Sequence, residues 1–197
     1  MDKHYTSRYI LKSDEHKNTF ITKLPETWWS RPYEYAWAAN FMGKDLTVLD
    51  AACGIEHPFK YYLAENCQFV DATDHDPKIK DVAHNYSNLT LYHTDLTDTP
   101  SQEGTYDRVF CISVLEHLNP IERIDTLMEF YRVLKPSGLA VITCDIPLVT
   151  PVKLITHALQ IGFSLPGPAY PQAPDPSYTI YSEEYGLYCY RLLLQKS

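Results

Sequence analysis

The sequence predicts a single α/β domain with a seven-stranded, mostly parallel sheet and helices on both faces. Three observations support this prediction. Short apolar runs recur along the chain, amphipathic runs of helical length alternate with them, and several apolar runs end at an acidic residue. The 197 residues suffice for one core and leave little room for a second domain, so we treat residues 1–197 as one unit.

The composition restricts the class of partner. It is 45% hydrophobic and 21% charged, as in soluble globular proteins, with no apolar run near the roughly 20 residues of a membrane span. A formal net charge of -8 without a basic run disfavours nucleic acid. The start lacks a secretory pattern, and the five cysteines form no C-x-x-C pair. We expect a cytoplasmic protein with free thiols, no bound metal and a small-molecule substrate; the oligomeric state stays open.

The segment 46–58 is the predicted centre of the fold. Its first residues favour a buried strand that Asp50 ends, and the small residues 51–54 follow where the backbone turns towards a helix. A ligand can approach such a turn closely, and ligands of open α/β sheets bind at the carboxyl ends of the strands. This turn is therefore the candidate cofactor site.

The remaining elements follow in a strand–helix rhythm. The pattern predicts helices at 57–65, 78–85, 120–134 and 151–160, and strands at 67–73, 89–93, 106–114, 139–144, 161–165 and 185–194. Asp74 and Asp145 lie at the tips of two of these strands.

Asp74 stands about 20 residues beyond the small-residue turn. A carboxylate at the tip of the next strand can accept hydrogen bonds from both ribose hydroxyls of a nucleoside. The sequence Asp-His-Asp-Pro is also ordinary turn and helix-capping chemistry. Both roles are open from the residues alone.

The amino-terminal 43 residues form a separate feature. Residues 1–20 have few periodic apolar positions and are predicted to be a surface arm that orders over a ligand. A helix is predicted from Ser30 to Gly43, with an apolar stripe of Tyr33, Trp37 and Phe41. The segment acts as a lid in this interpretation. Its candidate pocket residues, which alternatively pack on the sheet, are Trp28, Arg31, Tyr33 and Tyr35.

A second irregular segment precedes the last strand. Residues 166–182 are rich in proline and tyrosine, which predicts an insertion before the last strand. Together with the aromatic helix, it suggests an aromatic-lined entrance to the site.

Five segments in order resemble the class I S-adenosylmethionine-dependent methyltransferases, in particular the small-molecule type. They are VLDAACGIEHP, ATDHDP, LYHTDL, YDRVFCISVLEHL and YRVLKPSGLAVIT, and the resemblance covers residues 46 to about 147. It implies a Rossmann-like methyltransferase fold, S-adenosyl-L-methionine as the cofactor, and O- or N-methylation of a small molecule. The cofactor residues it implies are Arg31, Asp50, Ala52, Cys53, Gly54, Glu56, Asp74, His75, Asp95, Leu96, Ile112 and Ser113.

Two positions depart from the family's glycine-rich loop. Ala52 stands at the first small position and Glu56 at the third. Ala52 is a mild change. The Glu56 carboxylate is open to three interpretations: it binds the cofactor, it holds a cationic substrate, or it points to solvent.

A general base is needed mainly when the acceptor is a protonated oxygen. The candidates are Glu116, His117 and Asp145, of which His117 titrates nearest to neutral pH. His117 acts as the base or orients the substrate in this interpretation.

Two other classes of function stay open. The same fold can use S-adenosylmethionine without methylation, by transferring or cyclising its aminobutyrate arm, or it can be a cofactor-binding pseudoenzyme. A dinucleotide oxidoreductase is disfavoured because the loop lacks G-x-G-x-x-G. Methylation of DNA bases is disfavoured because no Asn/Asp-Pro-Pro-aromatic motif follows the fourth strand.

Overall fold

The computed structural model describes residues 3–172 and 175–197, and its α/β architecture confirms the predicted fold class. The α-helices are α1 Arg31–Ala38, α2 Phe59–Asn66, α3 Pro120–Val133 and α4 Pro151–Ile161. The strands are β1 Ser7–Tyr9, β2 Thr19–Phe20, β3 Thr22–Lys23, β4 Thr47–Ala51, β5 Phe69–Asp74, β6 Leu89–His93, β7 Tyr106–Ile112, β8 Leu134–Ile146, β9 Phe163–Ser164, β10 Ala169–Tyr170, β11 Tyr181–Ser182 and β12 Leu187–Lys196.

The main sheet has ten strands in the described residues, with the order β10-β1-β12-β8-β7-β4-β5-β6, while β9 and β11 also pair with β12. Strands β4 to β8 are parallel and β12 runs antiparallel to β8. The seven predicted strands are all present as β4 to β9 and β12. The parallel strands bring their carboxyl ends to one edge, where Asp50, Asp74 and Asp145 lie.

The three additional strands of the main sheet lie in the amino-terminal arm and in the insertion before the last strand. β1 pairs with both β10 and β12, and Leu11 bridges Thr179. Ser7, Tyr9 and Ile10 are buried. The prediction of a surface arm is therefore wrong for residues 7–10. The physical reason is that β12 has a free edge that an extended segment can pair with.

The insertion 166–182 likewise contains regular secondary structure. It supplies β10 and β11 and lies along the arm, where the Lys12 ammonium donates to the Pro176 and Ser177 carbonyls. Two residues of the insertion, Ala173 and Pro174, lie outside the described residues, as do residues 1 and 2 of the predicted arm.

Helices pack on both faces of the sheet. One core cluster contains Phe130 of α3 and Leu154 of α4, and the other contains Trp37 of α1 and Leu63 of α2. Helix α3 begins with a capping box in which the Asn119 side chain accepts from the backbone and Glu122 bonds back. These helices bury both faces of the parallel strands, as the sequence predicts.

Two other predicted boundaries differ from the structure. The helix predicted at 78–85 is a short 3₁₀ helix, Pro77–Asp81, in which Ile79 is the buried residue. The helix ends there because the backbone becomes extended at Val82, with φ -71° and ψ 111°. Strand β8 begins at Leu134 rather than 139, because Leu134 pairs with Tyr106 ahead of an irregular register.

Candidate functional site

The turn after β4 has a strained backbone. Ala52 and Gly54 have φ values of 58° and 65°, in the left-handed region. A side chain at Gly54 would place its Cβ 2.6 Å from Cδ2 of His57, so this position requires glycine on two grounds. The Gly54 N–H donates to Asp74 Oδ2 at 2.8 Å, and the Cys53 N–H donates to the Thr73 carbonyl at 2.8 Å. The turn is thereby tied to the tip of β5.

A buried lysine holds the carbonyl side of the same turn. Lys60 of α2 is fully buried, and its ammonium donates to the carbonyls of Gly54 (2.6 Å), Ile55 (3.0 Å) and His57 (2.7 Å). Burial lowers the pKa of Lys60, while Cys53 and Asp50 oppose that change. All three ammonium protons have backbone partners, so Lys60 determines the shape of the turn.

The first cavity at this edge, here the Asp74 cavity, has a volume of about 490 Å³. It is lined by Ala52, Asp74, His75, Asp95, Leu96, Thr97, Val114, His117, Leu118, Glu122 and Thr126. The lining combines carboxylates with apolar side chains. This combination suits a molecule with a flat apolar ring and adjacent hydroxyl groups.

Asp74 retains acceptor capacity towards this cavity. Its Oδ1 accepts from the Asp76 N–H at 2.9 Å, in addition to the Gly54 contact of Oδ2. A carboxylate has about four acceptor positions. The backbone contacts therefore orient Asp74 and leave positions for ligand hydroxyls.

The second cavity, here the Asp145 cavity, has a volume of about 260 Å³. It is lined by Thr27, Trp28, Trp29, Ser30, Arg31, His57, Asp145 and Tyr185. The segment before α1, the β4 turn and the tip of β8 thus meet around one space. Its walls are mainly aromatic, with one carboxylate and one guanidinium.

A buried carboxylate lies beneath this cavity. Glu34 is fully buried, and its Oε1 accepts from Ser113 Oγ (2.5 Å), Thr143 Oγ1 (2.7 Å) and the Cys189 thiol (3.3 Å). Its Oε2 accepts from Arg31 Nη1 at 2.5 Å. These contacts join α1 to the tips of β7, β8 and β12.

The Glu34–Arg31 pair is ionised. Burial alone would raise the pKa of Glu34, but Arg31 and the hydroxyl donors lower it below its ordinary value. Burial would lower the pKa of Arg31, but the Glu34 charge raises it. Arg31 Nε has no hydrogen-bond partner within residues 3–172 and 175–197. Part of the guanidinium is thus free to bind an anionic group.

Three other carboxyl groups at this edge have raised pKa values. Burial, with the Asp74 charge, raises the pKa of Asp50 to about 7 against the effect of Lys60. Burial and the Glu34 charge raise the pKa of Asp145 to about 7, and Arg31 opposes them. Burial also raises the pKa of Glu116 to about 8. Burial is the main cause of all three raised pKa values.

His57 forms part of both the turn and the Asp145 cavity. Its Nδ1 lies 2.8 Å from the Tyr35 hydroxyl, and its ring stacks on Trp28 with centroids 4.2 Å apart. Burial and the nearby Arg31 charge lower the pKa of His57 to about 4. The imidazole is therefore neutral at physiological pH.

The three predicted catalytic residues do not share one cavity. Asp145 lines the Asp145 cavity and His117 is exposed on the wall of the Asp74 cavity. Glu116 is buried between them, where its Oε1 accepts from the Asp145 N–H at 3.1 Å. The carboxyl groups of Glu116 and Asp145 thus influence each other, whereas His117 faces the other cavity.

Gly54 lies in the turn itself, bonded to Asp74, and the other predicted cofactor residues fall into four groups. Ala52, Asp74, His75, Asp95 and Leu96 line the Asp74 cavity, and Arg31 lines the Asp145 cavity. Those that support the turn and strand tips from beneath, all buried, are Asp50, Cys53, Ile112 and Ser113. Glu56 is exposed and lines neither cavity.

The aromatic candidates also separate. Trp28 lines the Asp145 cavity, and Tyr35 is buried behind it against His57. Tyr33 instead packs against His16, with ring centroids 4.7 Å apart, on the arm side of α1. The two tyrosines alternate along one helix turn and so point to different surroundings.

Sequence reasoning did not identify Lys60, Glu34 or His57 as site residues. Glu34 had a usable signal, because it lies four and seven residues before the buried Ala38 and Phe41 on the same helix face. Nothing in the sequence distinguishes Lys60 from an ordinary surface lysine. The described residues contain no cluster of metal-ligating side chains and no helix long and apolar enough to cross a membrane.

Residues 49–142 match a family model described as a methyltransferase domain, slightly less than half of the chain. "Sterol methyltransferase-like 3" of Botryococcus braunii is 28% identical over 100 residues, which are 47% of this chain and 25% of that protein. The chain thus spans about a quarter of the length of this relative.

Solved structures extend the similarity over nearly the whole chain. The crystal structure of the cyclase SpnF has a TM-score of 0.67 at 12% identity, covering 97% of this chain and 86% of that one. The Burkholderia thailandensis 1,6-didemethyltoxoflavin-N1-methyltransferase, crystallised with its named substrate and S-adenosylhomocysteine, also has a TM-score of 0.67, at 17% identity over 87% of this chain and 80% of that one.

At these identities the structural matches concern the fold. Together with the matched domain, they agree with the resemblance seen in the five sequence segments: residues 49–142 match a methyltransferase domain, and the chain has the fold of the class I S-adenosylmethionine-dependent methyltransferases. The cofactor of that class is S-adenosyl-L-methionine.

Proposed function

We propose that the protein binds S-adenosyl-L-methionine and transfers its methyl group to a small-molecule oxygen or nitrogen. The observation that carries the proposal is the pair of adjacent cavities at the carboxyl edge of the sheet. The Asp74 cavity suits an adenosine group, and the Asp145 cavity suits an acceptor. Ala52 lines the first cavity and His57 the second, so the turn at Gly54 lies between the two cavities. The methionine part of the cofactor would cross this turn.

The residues present fit this cofactor. Asp74 offers carboxylate oxygens to the ribose, Asp95 and Leu96 line the adenine side, and the free Nε of Arg31 suits the methionine carboxylate. Asp50 Oδ2 is buried without a hydrogen-bond partner within the described part of the chain, so the base of the turn has an unused acceptor. The bound cofactor supplies an electrophilic methyl group on a sulfonium.

The chain's own contribution is alignment and exclusion of water. Trp28 and its stacked partner His57 provide an apolar wall, and the arm with α1 acts as a lid over it. Among the predicted catalytic residues, Asp145 serves the acceptor side. His117 serves the adenosine side, and Glu116 holds the backbone of Asp145 by accepting from its N–H.

Calorimetric titration with S-adenosylhomocysteine tests the cofactor assignment. Asp74→Ala should weaken binding by about 1 to 3 kcal/mol, the scale of hydrogen bonds to a charged group. Asp81→Ala, at an exposed carboxylate, is the matched control and should bind like the wild type. A folded Asp74→Ala variant with wild-type affinity would contradict the assignment of Asp74 to cofactor binding. Product analysis with labelled cofactor then separates methyl transfer from the non-methylating chemistry that the same fold permits.

A further inference from the structure

We propose that the Asp145 cavity selects an amine as acceptor, holding its nitrogen on the Asp145 carboxylate and its apolar body against Trp28. This inference rests on the proposed function and names the acceptor class of the same site.

The charge balance of the cavity favours a cation or a strong donor. The Arg31 charge is matched by Glu34 through the 2.5 Å contact of Nη1 with Oε2. His57 is neutral. The charge of an ionised Asp145 is therefore uncompensated, and an ammonium group would neutralise it.

The hydrogen-bonding capacity points the same way. Asp145 Oδ1 is buried and has no hydrogen-bond partner in the described residues, whereas the backbone N–H of Asp145 is already used by Glu116. An ionised carboxylate has acceptors only, so the missing partner is a donor. An acidic acceptor would be repelled, and a hydroxyl offers one donor without charge.

The walls and the volume of the cavity determine the size and polarity of the rest of the acceptor. The Trp28 ring is held in place by stacking on His57, and Tyr185 lies at the exposed rim. Aromatic rings of this kind attract cations and bury flat apolar groups. A volume of about 260 Å³ limits the acceptor to a compact molecule, on the scale of one aromatic ring with a short amine chain.

Asp145 also accepts the proton that an ammonium acceptor must lose before methyl transfer. An ammonium must release one proton before its nitrogen has a lone pair, and the Asp145 carboxylate accepts it and passes it to solvent. The nitrogen lone pair then forms the N–CH₃ bond while the S–CH₃ bond breaks and its electron pair stays on sulfur. No further reactant is needed.

The test measures binding to the full chain saturated with S-adenosylhomocysteine at pH 8. Phenethylamine, 2-phenylethanol and 3-phenylpropanoate are titrated as matched probes. We expect the amine to bind about tenfold or more tightly than the alcohol, and the acid most weakly. Asp145→Asn should remove the preference for the amine and leave S-adenosylhomocysteine affinity unchanged, while Asp45→Asn at an exposed carboxylate changes neither.

A second measurement does not depend on the folding of a variant. Lowering the pH from 8 to 6 protonates Asp145, whose pKa lies at about 7 between the Glu34 and Arg31 charges, and should weaken amine binding to the wild type about tenfold. His57 stays neutral over this range. Glu116, like Asp145, takes up a proton as the pH falls.

The outcomes separate the two proposals. Failure of S-adenosylhomocysteine to bind would overturn the proposed function. If it binds but no probe does, or the alcohol or acid binds as tightly as the amine, the amine inference is wrong. Equal amine affinity in Asp145→Asn, or at pH 6 and pH 8, would also overturn it.

Discussion

Substitution of Lys60 by methionine should damage the cofactor turn more than any other single change on α2. The ammonium makes three short contacts with the carbonyls of Gly54, Ile55 and His57 from a fully buried position. Methionine keeps most of the volume but leaves three buried carbonyls without that donor. Hydrogen bonds to charged groups contribute about 1.5 to 3 kcal/mol each, and part of this is offset by the desolvation of the ammonium.

We therefore expect Lys60→Met to lower the free energy of unfolding by about 3 kcal/mol, close to the cost of breaking a buried charged network. For a chain of this size that corresponds to a fall in Tm of roughly 6 to 12 °C. Urea unfolding measures the stability. Calorimetry measures the affinity for S-adenosylhomocysteine, which should fall about tenfold or more if the turn loses its shape. Lys80→Met, at an exposed lysine, is the control.

Two results would refute this reasoning. If Lys60→Met is as stable as Lys80→Met, the three contacts contribute nothing. If stability falls while cofactor affinity holds, Lys60 supports α2 but does not shape the turn.

The remaining predictions concern pH and the arm. The folded protein keeps a proton on Glu116 up to about pH 8, whereas the unfolded chain releases it near its ordinary pKa of 4.5, so this group lowers stability as pH rises between those values. Urea titrations of Glu116→Gln should therefore show a stability that falls less steeply with pH, by about 1.4 kcal/mol per pH unit, and equal slopes would contradict the raised pKa. In hydrogen exchange, residues 11–30 should slow when S-adenosylhomocysteine binds, while residues 7–10 stay protected throughout; unchanged exchange of 11–30 would argue against a lid.

The sequence predicts the central fold well because its signals are local there. The apolar runs that became β4, β7 and the second half of β8 are continuous and largely buried, and helix α3 carries its own capping residues at Asn119 and Glu122. The seven-stranded prediction misses β1, β10 and β11, which are two or three residues long. Strands this short have no periodicity of their own and form because the edge of β12 is available.

The sequence places the residues that a motif names at the strand tips, but it does not reveal the residues that hold them there. Asp74, Asp95 and Leu96 line one cavity as expected, since strand tips of a parallel sheet meet at one edge. His117 and Asp145 follow neighbouring strands yet face different cavities. Their separation depends on the 3₁₀ turn Leu115–His117, which directs the His117 side chain and which spacing in the sequence does not specify.

Lys60 and Glu34 show why the supporting residues were missed. Both are charged residues on helices, where a charge normally indicates a solvated face. Each is instead fully buried because its partners come from elsewhere in the chain: backbone carbonyls of the β4 turn for Lys60, and Arg31 with the Ser113 and Thr143 hydroxyls for Glu34. A buried charge without such partners would cost several kcal/mol, so these helices can dock in only one register. The two charges thus position α1 and α2 against the strand tips, and the cavities between them take their shape from that register.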